Sequence, residues 1–279
     1  QPTNLFNVLR QASALGILSL GQTIVIIGGG IDLSVVSTMQ LAAVTVAGVS
    51  GGRDVLVFPA VLLCLALGGL VGVVNGMLVT RWRVPPFVAT LGVSLVTTGM
   101  RLVITYGSPP GGLPPLVRFF GRDSTGPVPN AVIIFAGFAL LGVLVLRLTV
   151  FGRWVYATGG NRAAARLSGV DVDRVTLLTY VVSGILAAIA GLILAGYVGY
   201  ADQWIGRGYE LTSIAAPIIG GASFAGGRGG IGGTVVGVLL VTVLLNLILL
   251  LNLPVQYQLV VNGLVIVVAV ALYSVGGRK

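Results

Sequence analysis

The stretch Gly28–Ser34, GGGIDLS in one-letter code, decides how the chain must fold. It lies between two apolar stretches, 15–27 and 35–49, each of which suits a membrane-embedded helix. Its three glycines lack the side chains that stiffen a helix, and a carboxylate follows in apolar surroundings. Non-helical backbone at membrane depth is tolerated only where it is buried in protein or lines a polar cavity. Because an ionisable residue in such a place marks a functional site by default, Asp32 is a candidate.

The composition is that of a membrane protein. Of the 279 residues, 56% are hydrophobic and 8% are charged, whereas a soluble domain has roughly 25% charged residues. The net charge of +9 comes from basic residues spread between apolar segments, which indicates membrane topology rather than nucleic-acid binding.

Several kinds of chemistry are excluded. The chain has no histidine and one cysteine, Cys64, in an apolar run. Catalysis by Ser-His-Asp or Cys-His groups and His-ligated metal sites therefore cannot occur, and we predict no catalytic residue, no metal and a packed, inert thiol. The glycine-rich stretch 226–233 lacks the Lys-Ser/Thr pair of a nucleotide loop, because the only lysine is Lys279. We interpret it as a tight turn, and the protein as a non-enzyme.

The sequence predicts an all-α polytopic membrane protein in one domain, 1–279. A spanning helix needs about 20 mostly apolar residues. We predict nine, two of them short: 12–27, 33–49, 55–79, 86–105, 131–146, 175–200, 211–225, 231–251 and 256–273. The Pro- and Gly-rich connection 108–130 is predicted as an interfacial or re-entrant segment, or as an ordered loop.

The basic residues predict the orientation. With strict alternation, ten of the 16 lysines and arginines fall on one side, which the positive-inside rule makes cytoplasmic. The C-terminus is then inside and Gln1 outside.

A set of short motifs recurs in the same order and divides the chain into two halves, 12–105 and 175–273. The triplet Asp-Leu-Ser at 32–34 recurs as Glu-Leu-Thr at 210–212, and the glycine-rich run 68–72 recurs at 232–237. An isolated amide and a proline follow each run: Asn75 and Pro85, then Asn246 and Pro254. Since the two triplets precede helices of opposite direction, we predict an inverted repeat, which places a transport path at the repeat interface.

Isolated polar residues in the predicted spans are candidates for the translocation path or for helix caps and interhelical hydrogen bonds. Asp32 is interpreted mainly as a cap of the next helix, with a path-facing switch as the alternative. Glu210 is predicted to cap its helix and to contact an external partner. The full set is Asp32, Ser34, Gln40, Asn75, Thr90, Glu210, Thr212 and Asn246.

The segment 150–174 is the longest non-apolar stretch on the predicted inner side. Asn161 is suited to cap a short Ala-rich helix that Gly169 ends. We predict a docking knob for a cytoplasmic partner; a helix that rests on lipid headgroups through Arg162 and Arg166 is the alternative. The residues of this segment predicted to couple to the partner are Asn161, Arg162, Ala163, Ala164, Arg166, Leu167, Ser168 and Gly169.

These motifs resemble those of the ribose/xylose/galactoside-type ABC importer permeases. The similarity is carried by GGIDLS at 29–34, PPFVATLG at 85–92, GNRAA at 160–164 and GGRG at 226–229. It implies a ten-helix permease of the bacterial inner membrane, usually a dimer as homodimer or heterodimer. Two cytoplasmic ATPase subunits, which use ATP and Mg²⁺, would dock on 161–169, and a periplasmic sugar-binding protein would deliver the solute. The chain itself would hold no cofactor.

Permeases of this family usually begin inside, so we expect a first helix to precede the nine. Two positions depart from the family pattern. Val36 stands where a glycine is common, and Arg101 stands where the family is usually uncharged or small. We expect both to affect which sugar is carried, Arg101 near the outer mouth.

The resemblance implies import of a monosaccharide or a similar small polyol. A related permease for nucleosides, a furanone-type signal or branched-chain amino acids is the nearest alternative. An alternative of another class is an ion-coupled secondary transporter with Asp32 as its proton or cation site, which would need no ATPase partner. A passive channel fits worst, because nothing resembles a selectivity filter.

Overall fold

A computed structural model describes residues 2–108 and 111–251, together with 260, 263 and 264. The predicted span 256–273, Pro254, Arg278 and Lys279 lie outside the described residues. The helices are α1 (Pro2–Ile27), α2 (Val35–Ser50), α3 (Val57–Thr80, after a 3-10 turn at Asp54–Leu56), α4 (Pro86–Thr105), α5 (Pro115–Arg122), α6 (Asn130–Leu148), α7 (Val150–Gly160), α8 (Arg162–Leu167), α9 (Val172–Val198), α10 (Tyr209–Ile219) and α11 (Ile231–Leu250). A hairpin of β1 (Ser124–Thr125) and β2 (Val128–Pro129) is the only sheet in these residues.

Within the described part of the chain, six of the predicted spans correspond to helices that are long and apolar enough to cross a membrane. These are Phe6–Ile27, Asp54–Thr80, Pro86–Thr105, Asn130–Leu148, Val172–Val198 and Ile231–Ile248. Only 17% of the apolar window of α6 and 22% of that of α4 are buried within the chain. Such exposure of apolar side chains suits lipid or a neighbouring subunit, and the protein is a multi-pass membrane protein.

Two predicted spans are shorter helices. The prediction for 33–49 corresponds to α2, of 16 residues. The prediction of a span over 211–225 is too long, because α10 ends after 11 residues at Ile219. A helix of this length extends about 16 Å, roughly half of the hydrocarbon core. Pro217, which lacks an N–H, and Gly221, with φ of 92°, end the helix early.

Helix α9 lies at the centre of the bundle and packs against α1, α2, α3 and α5. Glycines permit the closest of these contacts. A Cβ atom on Gly72 would lie 2.6 Å from Cα of Val181, and one on Gly184 would lie 3.0 Å from the carbonyl carbon of Gly68. Helix α1 packs against α9, α10 and α11, and α10 packs against α11. Close backbone contact through small residues is the usual way in which membrane helices associate.

The connections gather at two ends of the bundle. At one end, N of Gly227 donates to O of Ile27 at 2.8 Å, and α7 and α8 lie nearby. We call this the α8 end. At the other, the hairpin end, Nη2 of Arg10 donates to Oγ of Ser124 at 3.0 Å. In both contacts, connections that the sequence places on the same side of the membrane lie at the same end.

Two connections have more structure than a loop. The interfacial segment in 108–130 contains α5, which packs on α9 with Gly121 against Gly196. Helix α7 was not predicted. It begins where Oγ1 of Thr149 accepts a hydrogen bond from N of Gly152 at 3.2 Å, a helix cap that we did not identify in the sequence.

Candidate functional site

The break Gly28–Ser34 joins α1 to α2 with a non-helical turn. Three backbone N–H groups of Gly28, Gly29 and Gly30 still bond back to α1, at 2.9 to 3.1 Å. Gly29 has φ of 80°, which side chains disfavour, and a Cβ on Gly30 would lie 2.6 Å from Oη of Tyr180. Glycine is therefore required here by backbone conformation and by the close approach of α9.

Asp32 is 1% exposed and both of its carboxylate oxygens are occupied. Oδ1 accepts from N and Oγ of Ser34 at 2.9 and 2.6 Å, and Oδ2 accepts from Oγ of Ser183 on α9 at 2.9 Å. Ser34 is the N-cap residue of α2. The sequence was interpreted as placing Asp32 against the free N–H groups of the first turn of α2. In the structure, Asp32 instead fixes the turn that precedes this helix.

Two other predicted residues, Asn75 and Thr90, and Gln22, which was not predicted, extend this cluster. Nδ2 of Asn75 on α3 donates to Oγ of Ser34 at 2.7 Å. Oγ1 of Thr90 on α4 accepts from N of Leu33 at 3.1 Å. The amide of Gln22 on α1, oriented with its nitrogen toward the Asp32 carbonyl oxygen, pairs with the Asp32 backbone at 3.2 and 3.3 Å. We call these groups the Asp32 cluster: Asp32, Ser34, Ser183, Asn75, Thr90 and Gln22. It links α1, α2, α3, α4 and α9.

The second half of the predicted repeat lies elsewhere. Oε2 of Glu210 accepts from N of Gly208 at 2.7 Å, and Oγ1 of Thr212 donates to O of Gly208 at 2.9 Å, both at the start of α10. Asn246 lies half-buried on α11. The hydrogen bonds of Glu210 and Thr212 therefore lie apart from the Asp32 cluster.

A second buried polar group surrounds Arg101, near the hairpin end of α4. Its side chain is 0% exposed. Nη1 donates to O and Oε1 of Gln203 at 2.6 and 2.8 Å, and Nη2 donates to Oε1 of Gln40 at 3.1 Å. The face of Trp204 lies 5.8 Å from the guanidinium carbon. We call Arg101, Gln40, Gln203 and Trp204 the Arg101 cluster.

Among the described residues, no carboxylate forms an ion pair with Arg101. The ion pairs of the described residues lie near α8 and join Arg166 to Asp173 and Arg174 to Asp171. Gln40 was among the predicted path or cap residues and Arg101 was expected to affect the choice of sugar, whereas Gln203 was not predicted. A charge inside a predicted span is the signal that identifies Arg101; Gln203 lies in a connection and carries no such signal.

The segment at the α8 end forms the predicted short helix. Oδ1 of Asn161 accepts from N of Ala164 at 3.0 Å, which confirms the predicted cap, and Gly169, with φ of 81°, follows the last turn. Of the eight predicted coupling residues, all are exposed, and Leu167 is 91% exposed. Nη2 of Arg166 bonds Oδ1 of Asp173 at 2.7 Å. Helix α8 is thus a small exposed projection with an apolar tip.

Helix α7 joins this projection to both glycine-rich turns. A Cβ on Gly159 would overlap O of Ile27 and lie 2.6 Å from N of Gly227. Oη of Tyr156 donates to O of Gly229 at 2.9 Å. Burial raises the pKa of Tyr156 above its ordinary value, so the hydroxyl stays protonated as a donor. Helix α7 thus lies in close contact with the end of α1 and with the 226–230 turn.

No metal site gathers in the part of the chain that the structure describes. Cys64 is free and buried, with Sγ 3.3 Å from O of Ala42. A bundle of membrane-length helices with glycine-rich breaks and buried polar clusters defines a polytopic membrane permease.

Comparison with known proteins identifies the family. The chain belongs to the family described as "Branched-chain amino acid transport system / permease component", whose model matches residues 4–270. It is 43% identical over 277 residues to the ribose import permease protein RbsC of Bacillus subtilis strain 168, covering 98% of this chain and 85% of that protein. Identity to RbsC of Escherichia coli K12 is 41% over 271 residues, covering 96% and 84%.

More distant relatives carry other names. The autoinducer 2 import system permease protein LsrC of Enterobacter sp. strain 638 is 35% identical over 262 residues, covering 93% of this chain and 75% of that protein. No solved structure matches the chain.

Proposed function

We propose that this chain is the membrane-spanning permease subunit of an ATP-driven importer for a monosaccharide such as ribose, or for a similar small polyol. The observation that carries the proposal is the 43% identity to a ribose import permease over 98% of the chain. The permease performs no chemistry. ATP and Mg²⁺ are used by separate cytoplasmic ATPase subunits, and a sugar-binding protein delivers the solute at the hairpin end.

Helix α8 is the proposed coupling element. Its eight coupling residues, 161–164 and 166–169, are exposed, and the tip at Leu167 is apolar. A helix that merely rested on lipid headgroups would direct an apolar residue into the bilayer and needs no rigid link to the core. The contacts of α7 with Ile27 and Gly227 favour the coupling role, because they connect α8 to the ends of α1 and the 226–230 turn.

The two halves are proposed to form an inverted repeat, within a ten-helix unit. Exchange of α1 with α9, α2 with α10 and α3 with α11 converts one set of helix contacts into another. The contact between α3 and α9 corresponds to the contact between α11 and α1. The contact between α2 and α9 corresponds to that between α10 and α1, and the contact between α2 and α3 corresponds to that between α10 and α11. All six of these contacts are present. This correspondence supports half-repeats of 12–105 and 175–273.

The transport path is proposed to follow a groove between α2, α3 and α4, with a second permease subunit, identical or related, as its other wall. A cavity of about 1140 Å³ lies in this groove. Its walls are apolar apart from a few hydroxyl groups and Arg101, which suits weak binding and rapid release of a neutral polyol. In this proposal the Asp32 cluster holds the shape of the adjoining break, and Gln40 belongs to the outer end.

The orientation follows from the positive-inside rule. Basic residues concentrate at the α8 end, for example Arg153, Arg162 and Arg228, so this end is proposed to be cytoplasmic. The C-terminus is proposed to lie on the same side, and the membrane is the bacterial inner membrane.

An uptake assay tests the proposal. Cells that express this chain with its ATPase and binding protein should accumulate labelled ribose, and a variant of the ATPase unable to hydrolyse ATP should not. A protonophore added with ATP supply maintained should leave uptake unchanged. Uptake that collapses with the protonophore and needs no ATPase would instead identify an ion-coupled transporter.

A second candidate substrate is a furanone-type signal, favoured by the 35% identity to an autoinducer 2 import permease. The family description keeps branched-chain amino acids among the solutes to be assayed. Nucleosides, the remaining alternative from the sequence, are assayed with them. Competition by each unlabelled solute against ribose uptake separates these cases.

A further inference from the structure

The cavity beside α4 has one charged residue in its described lining. It extends from Leu78 and Val84 near the α8 end to Ser108 near the hairpin end, so it follows α4 over its whole length. Its other polar groups are the hydroxyls of Thr45, Thr97, Thr105 and Ser108. Arg101 lies in the outer part of this lining. Its side chain is buried in the cavity wall, so a solute that moved along the whole cavity would pass beside it.

The charge of Arg101 forms no ion pair among the described residues, and the carboxylate of Asp202 acts on it only at longer range. Its three hydrogen bonds go to the neutral oxygens of Gln203 and Gln40. Nε of Arg101 is buried without a hydrogen-bond partner. The nearest carboxylate of the same connection, Asp202, accepts from N of Trp204 at 2.8 Å and forms no ion pair among the described residues.

A fixed positive charge buried in the wall beside an apolar cavity acts on ions in that cavity far more strongly than it would in water. It opposes the entry of Na⁺ and of protons, and it leaves a neutral polyol unaffected except through hydrogen bonds; pores for neutral solutes use an arginine or helix dipoles in this way. A permease that opens to each side in turn otherwise provides a route for ions down their gradients.

We propose that Arg101 is the ion-exclusion residue of the transport path, which keeps Na⁺ and protons out of the cavity while a neutral solute passes. This inference rests on the proposed function, because it requires the cavity to be the path of an uncharged solute. Gln203 and Gln40 position the guanidinium by accepting its hydrogen bonds without neutralising its charge.

The test uses the whole transporter, with ATPase and binding protein, in liposomes. A potassium diffusion potential set with valinomycin drives cations inward, and Na⁺ entry and internal acidification are recorded with dyes. Arg101→Gln should raise both leaks by about tenfold or more over wild type, whereas Arg101→Lys, which keeps the charge, should not. Ribose uptake is measured on the same vesicles.

A second variant cancels the positive charge of Arg101 without replacing the residue. In Gln203→Glu the new carboxylate keeps the acceptor for Nη1 and neutralises the guanidinium, and the Thr105 hydroxyl, which now donates to O of Arg101, must turn to donate to the carboxylate. We expect the same rise in leak, and this variant decides the matter if Arg101→Gln does not fold. Leaks equal to wild type in folded Arg101→Gln or Gln203→Glu protein would overturn the inference. Absence of ribose uptake by wild type would refute the proposed function instead, with the leak comparison still valid.

Discussion

Oδ2 of Asp32 accepts a hydrogen bond of 2.9 Å from Oγ of Ser183, which lies 151 residues further along the chain. This bond joins the break before α2 to the central helix α9. Together with the two donors of Ser34 it gives the carboxylate three hydrogen bonds, all received. An ionised carboxylate is an acceptor only, so the geometry suits a buried anion whose partners maintain the shape of the break.

Substitutions of Asp32 distinguish a role in maintaining the shape of the break from a role of the carboxylate charge. Asp32→Ala should lower the free energy of unfolding by about 2–4 kcal/mol, because the hydroxyls of Ser34 and Ser183 lose their acceptor. Asp32→Asn keeps the volume and can donate to Ser183, so we expect a loss of about 1 kcal/mol and retained ribose uptake. Thermal unfolding in detergent and uptake in cells measure both.

The single substitution Ser183→Ala serves as the control from the other side of the bond, with an expected loss of about 1–2 kcal/mol. A folded Asp32→Asn protein without uptake would contradict this interpretation. It would point to a role for the charge itself, as an ion-coupled mechanism requires.

The contact of α7 with α1 is tested at Gly159. A Cβ there would overlap the carbonyl oxygen of Ile27, so Gly159→Ala must move α7 away from α1. We expect a loss of about 1–3 kcal/mol in stability and strongly reduced ribose uptake, with ATPase binding retained. Co-purification of the ATPase and uptake measured in parallel distinguish uncoupling from loss of docking.

The neighbouring glycine is a matched control. A Cβ on Gly160 would meet no atom within 4 Å. Gly160→Ala should therefore transport at the wild-type rate. Equal uptake by the two variants would show that the contact between Gly159 and Ile27 does not transmit movement from α7 to α1.

Local patterns predicted most of the fold. The apolar runs identify the long helices because a bilayer demands about 20 apolar residues in sequence. Asn161 and Gly169 predict the short helix between them because cap residues act on groups two or three positions away. Helix α10 was predicted too long, since the hydropathy of 211–225 does not register the combined effect of Pro217 and the glycines after Ile219.

Tertiary contacts were beyond sequence reasoning. Gln40, Arg101 and Gln203 are separated by 61 and 102 residues, and nothing in the amino-acid pattern relates them. Likewise, Ser183 is an ordinary small residue in an apolar helix until Asp32 is placed against it. The repeat of the motif at Asp32 by that at Glu210 is visible in the sequence, but the different surroundings of the two carboxylates are not.

Docking of the ATPase is tested at the tip of α8. Leu167→Asp changes a side chain that is 91% exposed, so stability should stay within about 0.5 kcal/mol. A charge at the centre of an apolar contact should weaken ATPase binding by about 2 kcal/mol or more, roughly thirtyfold. Binding of the purified ATPase to the permease in nanodiscs provides the measurement.

Arg174→Ala is the control for this surface. Its side chain is 86% exposed in a pair with Asp171, and such surface pairs contribute about 0–1 kcal/mol. ATPase binding should remain at the wild-type level. Binding that is unchanged in Leu167→Asp would refute the coupling role of α8.

The packing of α9 on α3 is tested at Gly184. A Cβ there would overlap the carbonyl oxygen of Gly68 and lie 3.2 Å from N of Gly72, so Gly184→Ala must separate the two helices. We expect a loss of about 2–4 kcal/mol in unfolding free energy, although alanine is by itself the better helix former. Gly137 on α6, where a Cβ would meet nothing within 4 Å, is the control. Gly137→Ala should leave stability unchanged or raise it by up to about 1 kcal/mol, and equal thermal midpoints for the two variants would refute close packing at Gly184.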